Sequence, residues 1–223
     1  MTSSSKTIAK NTLFLYLRMF FSLAVSLYTS RVVLQVLGVE DFGIYNLVGG
    51  IVVLFSFLNG SMNVATQRFI NFEKASGIVE HVRKIFNISV INHILISFVV
   101  LLLAETIGLW VLNNKLNIPT DRIYAANVMY QMTIIITMVD IIRVPYNGMI
   151  LAYERMSYYA YLGIFETIAK LVIVYLLILF PSFDHLIFYG VLYMIVSVLT
   201  NLMFYFYCKK VFPKETSLNF IKI

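Results

Sequence analysis

The segment FNISVINHILISFVVLLLAETIGLWVL, residues 86–112, carries one ionised side chain, Glu105, in a stretch long enough to cross a bilayer. A membrane-spanning helix needs about 20 mostly apolar residues. The whole 223-residue chain is similar, since 60% of it is hydrophobic and 13% charged, against about 45–50% and about 25% in soluble domains. The sequence therefore predicts an all-α, polytopic membrane protein, and it excludes a soluble enzyme and a nucleic-acid-binding domain.

Five further stretches satisfy the same length and polarity criterion, so we expect a six-helix transmembrane bundle. Gly38, Pro119 and Pro181 lie in the connections, where residues that end helices are expected. The first 208 residues then form one domain, and residues 209–223 form a cytoplasmic tail or the start of a connector. The predicted spans are residues 12–36, 42–66, 86–112, 123–150, 158–180 and 186–207.

Lysine and arginine are distributed unevenly between the two ends of these spans. Eleven of the 17 flank the side that carries both termini, whereas two, Lys115 and Arg122, flank the other side. Loops rich in Lys and Arg stay in the cytoplasm. We therefore expect both termini to be cytoplasmic.

Six charged residues inside predicted spans are the candidate binding residues. A charge at the bilayer centre costs at least about 2.5–3.5 kcal/mol, so such residues usually face protein or a water-filled cavity. The candidates are Arg18, Arg31, Asp140, Arg143, Glu166 and Lys170.

The helical period separates the two arginines of the first span. Asn11, Ser22, Ser26 and Thr29 lie within about 80° of Arg18 at 100° per residue, which predicts a polar stripe. Arg31 is about 220° from Arg18 and falls outside that stripe. For both arginines, extension to lipid phosphates at the membrane surface is an alternative role.

The other four candidates are spaced to form ion pairs within a helix. Asp140 and Arg143 are three residues apart, and Glu166 and Lys170 are four apart in the favourable order. Such pairs fit two interpretations. They lock neighbouring helices together, or they line a cavity in which an anionic ligand displaces the acid, and the two roles are compatible.

Sequence patterns of catalysis are lacking. The chain has no GxxxxGK phosphate loop, no HExxH motif and a single cysteine, Cys208. We therefore expect no enzyme activity, no metal site, no cofactor and no nucleic-acid partner.

The N-terminal third carries a family resemblance. Arg18, Ser30-Arg31, Leu37-Gly38, the run Asp41-Phe42-Gly43-Ile44-Tyr45-Asn46 and Gln67-Arg68 resemble the start of bacterial polysaccharide-biosynthesis flippases of the O-antigen type. These belong to the multidrug/oligosaccharidyl-lipid/polysaccharide exporter superfamily. Beyond residue 70 the resemblance depends on the spacing of the spans and on the segment Arg143-Val144-Pro145-Tyr146.

The resemblance implies the N-terminal six-helix lobe of a two-lobed, MATE-like transporter in the bacterial inner membrane. Such proteins flip undecaprenyl-pyrophosphate-linked oligosaccharides for surface polysaccharide or lipopolysaccharide assembly, with cavity cations meeting the pyrophosphate. Arg18 and Arg31 match the family's first-helix cations, and Arg143 and Lys170 match loosely. Family members have twelve to fourteen spans, so this chain is expected to be truncated, half-length or a fragment. Its expected partners are membrane lipids and either a missing C-terminal lobe or a second copy.

Two alternatives of other classes stay open. A cation or drug antiporter of the same fold favours buried acids, but here four intramembrane cations face Glu105, Asp140 and Glu166. A non-transporting membrane remnant or assembly protein is the other alternative, motivated by the short length.

Overall fold

The computed structural model describes residues 3–218, with side chains for residues 12–50 and 60–218. Every regular element in that part of the chain is helical, which confirms the predicted all-α class. The elements are α1 (Ser3–Ala75), α2 (Val79–Leu103), a π-helical turn (Ala104–Gly108), α3 (Leu109–Asn114), α4 (Ile123–Ala152), α5 (Met156–Leu179) and α6 (His185–Val211).

Five helical stretches among the described residues are long and apolar enough to cross a membrane, which fits a multi-pass membrane protein. The last helix continues to Val211, so the predicted tail begins inside it. Residues 219–223 of that tail lie outside the described part. The five stretches are Thr12–Gly50, Val79–Asn114, Ile123–Ala152, Met156–Leu179 and His185–Val211.

The first two predicted spans lie on two limbs of α1, and no loop separates them. Gly38 interrupts the helix with φ 77° and ψ 171°. Glycine adopts a positive φ without the steric clash that a Cβ would cause. We call residues 3–37 the first limb and residues 39–75 the second limb.

The first limb runs parallel to α5. Ser22 Oγ lies 2.9 Å from Thr167 Oγ1, and further along both helices Tyr28 Oη lies 3.2 Å from Tyr175 Oη. The residue numbers increase together along the two helices, so both helices run in the same direction.

The second limb runs parallel to α4 and α6. Near its start the Tyr45 and Tyr189 ring centroids are 5.2 Å apart, and at its end Lys74 Nζ donates to the Ala152 carbonyl at the end of α4. Since α5 returns antiparallel to α4 after a three-residue connection, the two limbs are antiparallel to each other. Successive segments therefore alternate in direction through an up-and-down bundle.

Helix α4 lies at the centre of the bundle. In an 18-residue apolar stretch of α4, 56% of the residues are buried, against 11% in the corresponding stretch of Thr12–Gly50. The absence of a side chain at Gly148 permits a close approach, because a Cβ there would lie 3.0 Å from Thr66 Cγ2 of the second limb. Pro145 is accommodated inside α4 without ending it.

A π-helical turn interrupts the third predicted span at Ala104–Gly108. The Ala104 carbonyl accepts a hydrogen bond of 2.8 Å from the hydroxyl of Tyr130, which is fully buried. Glu105 accepts a 3.3 Å hydrogen bond from Gln131 Nε2 in α4. Such turns are frequent at functional sites, but here the widened turn serves to dock the third span on α4.

Arg122 joins the start of the second limb to the residues that precede α4 and α6, at one end of the bundle. Its Nε and Nη2 donate to the two oxygens of Asp41 at 2.7 and 2.5 Å, and its Nη1 donates to Asp184 at 2.6 Å. Hydrogen bonds to Asp184 and then Asp41 raise the pKa of the guanidinium further above its ordinary value. Burial opposes the charge on Asp184, but hydrogen bonds from Arg122 and from the Ile187 N–H hold the pKa of this carboxyl below its ordinary value. We call these three side chains the end cluster.

Candidate functional site

Five of the six candidate residues meet inside the bundle, where the first limb, α4 and α5 face one another. They project from three helices because each helix carries its charged residues on one face. We call them the inner cluster: Arg18, Asp140, Arg143, Glu166 and Lys170.

Both predicted ion pairs are confirmed. Arg143 Nη2 lies 3.2 Å from Asp140 Oδ1, and Lys170 Nζ donates to Glu166 Oε1 at 2.7 Å. The structure adds a link between the two helices, because Arg143 Nη1 lies 3.8 Å from Glu166 Oε2. The four side chains therefore form one chain of alternating charge from α4 to α5.

These four charged side chains are neither sealed nor freely hydrated. Their side-chain exposed fractions run from 22% for Arg143 to 36% for Lys170. Partial access lowers the cost of holding charge within an apolar bundle, and it leaves the charges reachable by a ligand.

Arg18 reaches the cluster from the first limb. Its guanidinium carbon lies 4.3 Å from the centroid of the Tyr159 ring, a cation–π distance. Its side chain also lies directly over Gly163, where an added Cβ would overlap the guanidinium. Glycine at this position of α5 is therefore what gives Arg18 its place in the bundle.

Three cavities adjoin the inner cluster, and two of them share lining residues. Arg143 and Asn147 line both a 60 Å³ cavity and a 250 Å³ cavity. Glu166 lines the 60 Å³ cavity, while its partner Lys170 lines a third, of 270 Å³. The Glu166–Lys170 pair therefore lies between the 60 Å³ cavity and the 270 Å³ cavity.

We name each cavity after its lining. The arginine cavity (60 Å³) is lined by Arg18, Arg143, Asn147, Tyr159, Gly163, Glu166 and Phe204. The asparagine cavity (250 Å³) is lined by Gly60, Asn63, Asp140, Arg143, Val144 and Asn147. The tyrosine cavity (270 Å³) is lined by Ser26, Thr29, Ser30, Val33, Phe42, Tyr45, Asn46, Lys170, Val174, Tyr189 and Tyr193.

Arg31, the sixth candidate, is not brought to this site. It is exposed on the first limb and lines none of the three cavities. Asn11, which shares the predicted polar stripe, lies outside the described side chains. Of the rest of that stripe, Ser22 contacts Thr167 in α5, and Ser26 and Thr29 line the tyrosine cavity.

Helix α6 supplies residues that sequence reasoning missed. Ser197 Oγ donates to Asp140 Oδ1 at 3.3 Å, and Tyr193 lies under Lys170, whose Nζ is 5.0 Å from the ring centroid. Tyr189, Tyr193 and Ser197 are each four residues apart and so share one helical face. That spacing is the signal that points them out.

The sequence analysis also did not predict that Asn63 and Asn147, whose amides line the asparagine cavity, face a ligand. The side-chain oxygens of Asn63 and Asn147 are buried, and neither accepts a hydrogen bond from any group the structure describes. Buried polar atoms are nearly always satisfied, so unpaired oxygens beside Arg143 indicate a space that holds water or a polar ligand. No group of three His, Cys, Asp or Glu side chains in the described ranges is placed to hold a metal ion.

Comparison with known proteins identifies no family for this chain, so a functional proposal rests on the geometry of the inner cluster and its cavities. The chain matches no protein-family model, no curated protein and no solved structure. The resemblance to polysaccharide flippases stays a prediction.

Proposed function

We propose that this chain forms a substrate-binding lobe of a transporter that flips an undecaprenyl-pyrophosphate-linked oligosaccharide for surface polysaccharide or lipopolysaccharide assembly. One observation carries the proposal, namely the excess of positive charge in the inner cluster. Arg18, Arg143 and Lys170 stand against two acids, Asp140 and Glu166. An uncompensated cation inside an apolar bundle is costly, and an anion that enters the bundle stabilises it.

The two arginines suit a pyrophosphate better than lysines would. A guanidinium keeps its charge in a low-dielectric site and binds two phosphate oxygens with one planar fork. Arg18 and Arg143 line the same 60 Å³ arginine cavity, which is too small for a pyrophosphate. Arg143 also lines the 250 Å³ asparagine cavity, and its contact with Glu166 is only 3.8 Å, so a shift of the Arg143 side chain would join the two spaces.

The charge arrangement favours an anion over the organic cation of a drug antiporter. A cation exporter needs acids free to receive its substrate. Here Asp140 faces Arg143 and Glu166 faces Lys170, so each acid of the inner cluster already has a cationic partner.

Binding of inorganic pyrophosphate to the purified chain in nanodiscs tests the proposal. Arg18→Gln and Arg143→Gln should each weaken binding at least tenfold. Arg31→Gln is the matched control, because Arg31 is an arginine of the same limb that lies outside the cavities. No binding by the wild type, or equal losses in Arg31→Gln and Arg18→Gln, would contradict the proposal and favour a non-transporting membrane protein.

Transport itself is tested by complementing surface-glycan display with the protein that carries this lobe and its partner lobe. Arg18→Lys should reduce display while protein levels stay normal, because lysine keeps the charge but loses the bidentate fork. A residue that merely extends to lipid headgroups would tolerate this change. Full display by Arg18→Gln would remove Arg18 from the substrate site.

The proposal includes an orientation in the bacterial inner membrane, with both termini cytoplasmic and the end cluster outside. Labelling with a membrane-impermeant thiol reagent tests it in two single-cysteine variants, Ser182→Cys and Ser76→Cys, each made in a Cys208→Ser background. The cysteine at position 182 should be labelled from outside intact cells, and the cysteine at position 76 should be protected. The reverse pattern would invert the orientation.

A further inference from the structure

The tyrosine cavity differs in chemistry from the rest of the site. Three of its lining residues are tyrosines, Tyr45, Tyr189 and Tyr193, while Lys170 supplies its ammonium group. The arginine cavity next to it presents guanidinium groups instead. An extended headgroup would therefore meet two different environments on the two sides of the Glu166–Lys170 pair.

The tyrosine rings form one continuous aromatic surface. Tyr45 and Tyr189 meet edge to face with centroids 5.2 Å apart and an interplanar angle of 85°. Tyr189 and Tyr193 follow with centroids 6.0 Å apart. Because the rings come from the second limb and α6 and pack on one another, the surface is fixed before any ligand arrives.

Short polar side chains face the same space. Ser26, Ser30 and Thr29 enter it from the first limb, and Asn46 enters it from the second. The Thr29 hydroxyl donates to the Val25 carbonyl at 2.9 Å, so its oxygen is left to accept.

The Asn46 amide is held in place by its own helix. Its nitrogen donates to the Phe42 carbonyl at 2.7 Å. The amide is therefore oriented without using its oxygen as an acceptor in that bond.

We infer that the tyrosine cavity is a sugar-ring subsite that holds the first sugar of the headgroup. This inference rests on the proposed function and locates part of its substrate. A pyranose has apolar C–H faces, which fit the negative faces of aromatic rings, and a rim of hydroxyls, which fit hydroxyl and amide partners. The cavity offers both, in a volume of 270 Å³.

The position of Lys170 links this subsite to the phosphate. Its Nζ bonds Glu166 on the arginine-cavity side and lies 5.0 Å from the Tyr193 ring centroid on the other. A sugar on Tyr193 would therefore lie next to a cation whose partner, Glu166, lines the phosphate space. The tyrosine cavity sets which sugar is accepted, because a site built to hydrogen-bond particular hydroxyls rejects ligands that lack them.

Saturation-transfer NMR on the purified chain in nanodiscs tests the subsite, with glucose, galactose and N-acetylglucosamine as probes. At least one sugar should receive saturation from the protein. Tyr193→Leu and, separately, Asn46→Leu should reduce that signal to background. Tyr175→Leu is the matched control, because Tyr175 is a half-exposed tyrosine of α5 that does not line the cavity.

Pyrophosphate binding, measured on the same samples, separates this inference from the proposed function. Retained pyrophosphate binding in the two cavity variants, with sugar binding lost, supports the subsite. Retained pyrophosphate binding with no sugar signal in the wild type, or with equal signals in Asn46→Leu and wild type, overturns the subsite alone. A wild type that binds sugar but no pyrophosphate contradicts the proposed function and leaves the cavity a sugar site.

Discussion

The end cluster and the inner cluster are both centred on an arginine between two acids, but they differ in how fully that arginine is used. Arg122 donates four hydrogen bonds, of 2.5 to 3.3 Å, to Asp41 and Asp184. Arg143 instead lies 3.2 and 3.8 Å from its two carboxylates, with two further cations nearby. The first arrangement is saturated and joins three segments of the chain, whereas the second retains capacity for a ligand.

The largest effect should come from removing the saturated arginine. Arg122→Gln leaves Asp41 and Asp184 facing each other without a cation, at exposed fractions of 14% and 32%. We expect a loss of about 3 kcal/mol in the free energy of unfolding, the lower end of the range for a broken buried pair. Denaturant titration in detergent micelles measures it.

A surface pair of the same kind provides the control. Arg83 bonds Glu80 three residues earlier on α2, and the Glu80 side chain is 64% exposed. Exposed pairs contribute about 0–1 kcal/mol, so Arg83→Gln should have little effect. Equal losses in the two variants would show that the end cluster is an ordinary surface feature.

The inner cluster should show a smaller coupling. Asp140→Ala should lower the free energy of unfolding, because Arg143 then keeps only the looser contact with Glu166 among these carboxylates. Adding Arg143→Ala should restore part of the loss, with a coupling energy of about 1–2 kcal/mol in a double-mutant cycle. Strictly additive losses would show that Asp140 and Arg143 do not act as a pair.

A glycine substitution should change the inner cluster without removing a charge. Gly163→Ala adds a Cβ where the Arg18 side chain lies, so we expect Arg18 to be displaced and pyrophosphate binding to weaken several-fold. The fold should be retained, because alanine favours helix and Arg18 is flexible. Gly190→Ala in α6 is the control. Its added Cβ would contact the flexible side chain of Met129 in α4, away from Arg18, so pyrophosphate binding should be unchanged.

Acidification should produce the smallest effect. The pKa of Asp184 is held below its ordinary value of 3.8, so its contribution to folding is complete above that pH and is lost as pH falls through the lower folded-state value. Asp184→Asn keeps an oxygen that can cap α6 but removes the titration. The wild type should lose more stability than Asp184→Asn when unfolding is compared at neutral pH and below pH 3.8, and parallel losses would contradict this.

The sequence predicts what depends on one helix at a time. Asp140–Arg143 and Glu166–Lys170 are pairs within a turn, so spacing alone identifies them. The helical angle likewise separates Arg18 from Arg31, which lie inside and outside the cavities in the structure.

Contacts between helices could not be read in the same way. Arg122 lies 81 residues from Asp41 and 62 from Asp184, and no local pattern relates them. The Arg143–Glu166 link depends on how α4 and α5 rotate against each other, which packing decides. The glycine at position 38 predicted a break between the first two spans. That the chain reverses there without a loop depends on the positive φ of Gly38, which the sequence pattern does not give.

The reversal at Gly38 has a consequence for how the protein enters the membrane during synthesis. Its two limbs are joined at a single non-helical residue at the tip of a hairpin, so both limbs are complete before any later helix has been synthesised. Asp41 near that tip has no partner until Arg122 has been synthesised, and the three-way contact is complete only when Asp184 follows. The order of residues along the chain therefore means that the end cluster is completed only after the hairpin, the third span, α4 and α5 have been synthesised.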